Sequence, residues 1–435
     1  MSARITELAN GMTVATEDMP LLESAALGIW VKSGARDELA DEHGLAHLLE
    51  HMAFKGTSRR SARAIAEEIE DVGGELNAAT TVETTSYYAR VLRDDVPLAF
   101  DILADIITDS RFDPAELERE QSVILQELGA AEDTPDDIVF DRFQATAFAD
   151  QVIGRPILGT RESVKSFTPE SLRAYLGRNY DPSRMIVSAA GAVDHDAICR
   201  QIEDAFSGFR ATRAPAEPAP AARYTGGEFR ESRDLQDAQL VLGFQGRPYY
   251  QRDFYASQVL AHVLGGGMSS RLFQEVRETR GLCYAIYAFH WSFSDTGIFG
   301  VHAATGEEEL AELAPVIIDE LMRASAGIGE AELTRARAQM RSSLLMSQES
   351  PGSRAGQIAR QLMFAGRTIT NEELLDRLAA ITPERICDLA ERLFLQGPAT
   401  LAAIGPIDHL PGLGELSTRL SAGAPPPVQA LAAGR

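Results

Sequence analysis

Apolar and polar residues recur along this chain with two different periods. Over 24–32 and 185–192 apolar residues alternate in short runs, the signature of β-strands. Over 63–72, 96–110 and 114–128 they return every three to four positions, which predicts amphipathic helices. Thr168-Pro169-Glu170 reads as a helix start: a capping hydroxyl, a proline at the first helical position and an acid in the first turn. Strands and helices mix without strict βαβ alternation, so the expected fold class is α+β.

The pattern also repeats. Leu27-Gly28-Ile29 returns as Leu242-Gly243-Phe244, and Leu45-Ala46-His47 as Leu260-Ala261-His262. Ala115-Glu116-Leu117 with Arg119 returns as Ala331-Glu332-Leu333 with Arg335, and Thr168-Pro169-Glu170 as Thr382-Pro383-Glu384. The offset stays at about 215 residues, so the chain reads as a duplication. Between the copies lies the Ala/Pro-rich ATRAPAEPAPAARY, a semi-extended linker. The expected organisation is a first α+β domain over 1–210, a linker over 211–226, a homologous α+β domain over 227–420 and a flexible tail over 421–435. Each half is expected to be a mixed sheet packed by helices, with the two halves facing each other as a clamshell. The length of 435 residues suits two such domains.

Composition narrows the function. Sixty-four acids against 41 bases leave a formal charge of −23, which argues against a nucleic-acid partner and suits a basic peptide. The first twenty residues lack a basic stretch followed by an apolar one, and no apolar run is long enough to span a bilayer. Cys199, Cys283 and Cys387 are odd in number and far apart, which excludes a cysteine zinc site and argues against a disulfide framework. A cytoplasmic location, with no membrane partner, is the expectation.

The chemistry concentrates in His47-Leu48-Leu49-Glu50-His51. On a helix, residues four apart project about 40° from one another, so His47 and His51 can offer two imidazoles to one ion. Glu50 lies near the same face and can reach a water there without being a ligand. A zinc ion needs a third protein ligand and an open fourth position. The helix from Pro114 supplies Glu116, Glu118, Glu120 and Glu127, of which Glu120 and Glu127 are two turns apart with Val123 and Ile124 between them. A carboxylate on an apolar stripe is costly to bury unless it meets a cation, so at least one of these two is expected to do so.

The HLLEH motif with Glu127 76 residues after His51 resembles the pitrilysin-type metallopeptidases, the inverted zincins whose motif reverses HExxH. HLLEHMAFKGT, GGELNAATTVETTSYY, ELEREQSVILQE and DIVFDRFQATAF are most similar to the mitochondrial processing peptidase β-subunit and its bacterial relatives. The resemblance runs through nearly the whole chain. It implies a zinc endopeptidase with His47, His51 and Glu127 as ligands, Glu50 as general base and Glu120 as a supporting carboxylate. It further implies that the strand edge at Asn77, Ala78 and Ala79 pairs with a bound peptide. Arg277 and Tyr284, in RLFQEVRETRGLCY, match a pair that contacts substrate near the scissile bond. Phe54 matches the lining of the pocket after the cut. Asp137 and Asp141 match acids that receive an arginine two residues before it. In this family chains commonly pair, so a homodimer is expected, with a partner chain lacking the motif as the alternative. At the duplicated offset Glu50 and His51 become Gly265 and Gly266, Glu120 becomes Ala336 and Glu127 becomes Ser343. The second copy therefore keeps only His262 and no metal site.

Two other classes compete. A non-catalytic scaffold or partner subunit of the same family would normally lose part of the HxxEH motif, which is complete here. A carrier using zinc only for structure would need four protein ligands and would leave Glu50 without a task.

Overall fold

The computed structural model describes residues 3–209 and 220–422. Most of the expected linker, 211–219, and the tail from 423 onward lie outside the described residues. The chain is α+β, built on two sheets, and divides into two compact units.

The first unit holds a six-stranded sheet of β1 (Arg4–Glu7), β2 (Thr13–Asp18), β3 (Ser24–Val31), β4 (Glu75–Thr80), β5 (Thr85–Leu92) and β6 (Met185–Gly191). The strand order is β1-β2-β6-β3-β5-β4, which leaves β4 at an edge. Only β2 and β6 pair in parallel. One face carries the main core, with Leu27, Ile29, Tyr87 and Val91 packed under α1 (Leu45–Ala53), α2 (Ala62–Glu70) and α3 (Val96–Thr108). A further helix, α4 (Pro114–Glu132), packs against α1.

The second unit repeats this plan. Its strands β7 (Gly227–Ser232), β8 (Ala238–Gln245), β9 (Ala285–Ser292), β10 (Gly297–Thr305) and β11 (Thr400–Gly405) follow the order β7-β11-β8-β10-β9. Each occupies the place of β2, β6, β3, β5 or β4, including the parallel pair, here β7 with β11. The duplication read from short words is thus a duplication of topology, and β1 is the one added strand. The edge strand β9 is the counterpart of β4.

The units are discontinuous in sequence, and here the structure departs from the continuous limits 1–210 and 227–420. The first is formed by Met1–Asp133, Arg155–Pro220 and Leu344–Thr370, the second by Thr134–Gly154, Ala221–Ser343 and Asn371–Arg435. The cause is a reciprocal exchange of one helix. The helix Pro351–Ala365, from the second half of the sequence, covers the far face of the first sheet at β6 and β3. There Ala359 and Met363 bury Ile186, and Ser188 Oγ donates to the Ala355 carbonyl at 2.8 Å. In turn α5 (Pro135–Ala147), from the first half, lies on β11, β8 and β7. Phe143 reaches Gly243, where a Cβ would stand 2.5 Å from the ring, so only glycine admits it. Strands β6 and β11 are covered on both faces and accordingly buried at every position.

Candidate metal centre

Helix α1 is amphipathic in the simplest way. Leu45, Ala46, Leu48, Leu49, Met52 and Ala53 are buried, which turns His47, Glu50 and His51 to the other side. Its start needs an unusual backbone: Gly44 sits at φ 95°, and a Cβ there would stand 2.8 Å from the Gly159 Cα. The first amides are capped from upstream. Glu38, 4% exposed, accepts from Gly44 N at 3.0 Å and Ala46 N at 2.8 Å. Burial outweighs these bonds and pushes its carboxyl up to about 8; nearby Glu42 adds to the rise and Arg155 opposes it.

Helix α4 begins at Asp113, whose Oδ1 accepts from Ala115 N and Glu116 N, with Pro114 at the first position. Leu117, Glu120 and Ile124 are its buried residues. Val123, expected on that stripe, is 38% exposed instead.

The two helices bring His47, His51 and Glu127 together, with one ligand atom from each lying within 4.8 Å of the others. Glu127 Oε2 stands 3.9 Å from His47 Nε2 and 3.8 Å from His51 Nε2. These gaps are too long for hydrogen bonds. They approach the roughly 3.3–3.6 Å between ligands that share a tetrahedral ion at about 2.0–2.2 Å. The imidazoles meet edge to face, with centroids 4.6 Å apart. Burial, helped by the neighbouring His51, lowers His47 to about 4 and keeps it neutral with a lone pair available. Glu120, 6% exposed, accepts from His51 Nδ1 at 3.0 Å, which directs the Nε2 of that ring towards Glu127. Two buried atoms here, His47 Nδ1 and Glu50 Oε2, have no hydrogen-bond partner among the described residues. Two neutral-capable imidazoles and a carboxylate, with a second carboxylate behind one ring, suit zinc and leave an open position.

The other expected site residues fall into two groups. In the first unit, Asn77, Ala78 and Ala79 lie on the edge strand β4, and Asn77 Oδ1 accepts from Ala78 N at 2.8 Å. Phe54, just past α1, lines a cavity of about 830 Å³ with Ile65, Ile69, Leu76 and Asn77. The second unit holds the rest. Arg277 is on the π-helical turn Phe273–Thr279, its guanidinium 4.7 Å from the Phe273 ring centre. Tyr284, 55% exposed, immediately precedes β9. Asp137 and Asp141 are carried by α5; Asp137 is exposed, and burial raises the Asp141 carboxyl. His262 is tied to Gln339 at 2.6 Å.

Sequence reasoning passed over Glu38 and Lys55. Lys55 Nζ binds Glu120 Oε1 at 2.7 Å, and it lies past the end of α1, where the helical period gives no signal.

An HxxEH helix facing a carboxylate helix, on a duplicated α+β chain, defines an inverted-zincin architecture. Residues 13–161 match the insulinase model (peptidase family M16), and residues 166–340 match the model of the M16 inactive domain. The chain belongs to this pitrilysin-type family. It is 39% identical to an uncharacterized zinc protease of Rickettsia felis, over 93% of this chain and 98% of that one. It is 38% identical to the uncharacterized zinc protease YmxG of Bacillus subtilis, over 92% of this chain and 98% of the other. A probable mitochondrial-processing peptidase subunit beta of Arabidopsis thaliana is 38% identical, over 96% of this chain and 81% of its own. A protease from Helicobacter pylori shares the fold, with a TM-score of 0.86 at 19% identity, covering 93% of this chain and 99% of that one.

Proposed function

We propose that the protein is a zinc-dependent endopeptidase acting on extended or unfolded peptides. The observation that carries this reading is the convergence of His47, His51 and Glu127 with Glu50 on the same helix face. These three side chains would hold the ion, which when bound supplies a Lewis acid that polarises the scissile carbonyl and acidifies water. Glu50 takes the proton of the attacking water and returns it to the leaving amine. Glu120 keeps the His51 ring oriented. The open edge of β4 at Asn77 to Ala79 holds the peptide backbone by strand addition, a mode that tolerates many sequences. Arg277 and Tyr284 contact the substrate near the cut, and the Tyr284 hydroxyl stabilises the developing oxyanion.

Asp137 and Asp141, one helical turn apart, receive an arginine two residues before the cut, and Phe54 lines the pocket for an apolar residue after it. The protein acts as a homodimer. Among the described residues no helix is long and apolar enough to cross a membrane, and the three cysteines are free thiols, as a cytoplasmic location would require. A quenched-peptide library with zinc analysis tests the reading. Stoichiometric zinc, chelator-sensitive cleavage and arginine enrichment that falls about tenfold or more in Asp141→Asn are expected. Zinc without cleavage would point to a scaffold subunit. Cleavage without arginine enrichment would remove the specificity alone.

A further inference from the structure

The carboxylate behind the His51 ring is itself held, and the residue that holds it has no other evident task. Glu120 lies 6% exposed between two partners, with Oε2 on His51 Nδ1 at 3.0 Å and Oε1 on Lys55 Nζ at 2.7 Å. The terminal torsion of a glutamate is broad and nearly two-fold, so the side chain does not fix the plane of its own carboxylate. A donor on each oxygen does. Lys55 in turn stands on a rigid support. Its amide donates to the Met52 carbonyl at 3.2 Å, continuing the last turn of α1. The residues that follow are tied to α3, where the buried Asp105 accepts from Thr57, Arg59 and Arg60 at 2.8–2.9 Å. The ammonium therefore approaches Glu120 from a fixed origin.

The second copy provides an internal comparison. At the same offset of about 215 residues, Lys55 becomes Ser270, and it is lost together with His51, Glu120 and Glu127. The Ala336 that replaces Glu120 is buried, so no carboxylate remains there for a lysine to hold. A lysine needed only to end the helix or seat the following loop would have no reason to disappear with the ligands.

We propose that Lys55 is a positioning residue of the metal centre: it binds one oxygen of Glu120 and so directs the other onto His51 Nδ1, keeping Nε2 turned towards Glu127. The inference rests on the zinc reading above and adds a residue to it. Lys55 also places a positive charge beside a site that gathers Glu50, Glu120 and Glu127.

The test measures zinc retention by the full-length protein in competition with a chelating dye. Wild type, Lys55→Met, Lys55→Gln, Lys55→Arg, Glu120→Gln and the double variants K55M/E120Q and K55Q/E120Q are compared, with thermal unfolding of each metal-free form. Supporting residues of this kind typically contribute about 10- to 100-fold in metal affinity. K55M should weaken retention about tenfold with the metal-free melting temperature little changed. K55Q should fall between K55M and wild type, and K55R should recover most of the loss. In the E120Q background K55M should have no further effect. Unchanged retention in K55M and K55Q, or an equal loss in the E120Q background, would overturn the proposal. K55Q carries the same comparison with Glu120→Gln should K55M fail to fold. A wild type that binds no zinc defeats the metal reading itself, a result distinct from either.

Discussion

At the scale of single residues, the centre divides its carboxylates by direction. Glu120 and Glu127 share a face of α4, which is why the helical period alone could not say which meets an ion. In the structure Glu120 turns to the Nδ1 side of His51 and to Lys55, while Glu127 faces the Nε2 atoms of both rings. Glu127→Gln should therefore release zinc more readily than Glu120→Gln, and metal analysis after dialysis checks the order; the reverse order would exchange their roles. Glu50 differs from both. Its buried Oε2 has no hydrogen-bond partner among the described residues, and the two histidines with Glu127 already offer three ligand atoms. Glu50→Gln should keep near-stoichiometric zinc while peptide turnover falls about a hundredfold or more. Parallel loss of zinc and turnover would make Glu50 a ligand rather than a base. The spacing of His47, Glu50 and His51 was legible because helix geometry is local to five residues. Lys55 and Glu38 were not, since a lone charge in a loop carries no periodic signal of what it will meet.

At the scale of elements, the metal helix depends on what starts it. No side chain of the residue before α1 caps its amides, and Glu38 does so from the preceding loop. Its carboxyl, raised from 4.5 to about 8, gives a defined pH dependence. Below about pH 4.5 the group is protonated in folded and unfolded chains and costs nothing. Between pH 4.5 and 8 the unfolded chain releases the proton and the folded one keeps it. Stability therefore declines as pH rises through that window, by at most about 1.4 kcal/mol per pH unit. Glu38→Gln removes the titration, but turns an amide donor towards a backbone N–H, which costs about 1–3 kcal/mol. Denaturant unfolding should show the variant's deficit largest near pH 5, shrinking as pH rises and reversing before pH 8. A deficit constant with pH would assign the titration elsewhere. Helices at 63–72, 96–110 and 114–128 were readable from their period, and the observed α2, α3 and α4 differ from them mainly at the ends. The edge position of β4 was not readable, because strand order is decided by pairings distant in sequence.

At the scale of the whole chain, the duplication was legible while the helix exchange was not. Equal words at equal offsets reveal two copies, but an apolar helix face does not state which sheet it will cover. Both α5 and Pro351–Ala365 present apolar faces, and each buries its own on the strands of the other copy. A chain cut at the linker therefore severs two packed layers at once. A fragment of residues 1–210 would leave Ile186 without Ala359 and Met363, and would expose Val139, Phe143 and Ala147 of α5, all fully buried in the intact chain. Uncovering a side chain of the size of Ile186, Val139 or Phe143 costs about 1.5–3 kcal/mol, against a net stability of about 5–15 kcal/mol for a whole domain. The fragment should thus lack a cooperative thermal transition and fail to retain zinc, even though it contains every expected ligand. Supplying residues 344–370 to the fragment as a tethered segment, with 134–154 replaced by a short polar linker, should restore both properties, because that chain contains the first compact unit apart from 211–220 and nothing of the second. Calorimetry and zinc analysis on the two fragments decide the matter. A cooperative 1–210 with zinc affinity equal to the intact protein would show that the exchanged helix is dispensable, and that the continuous limits describe the folding unit after all.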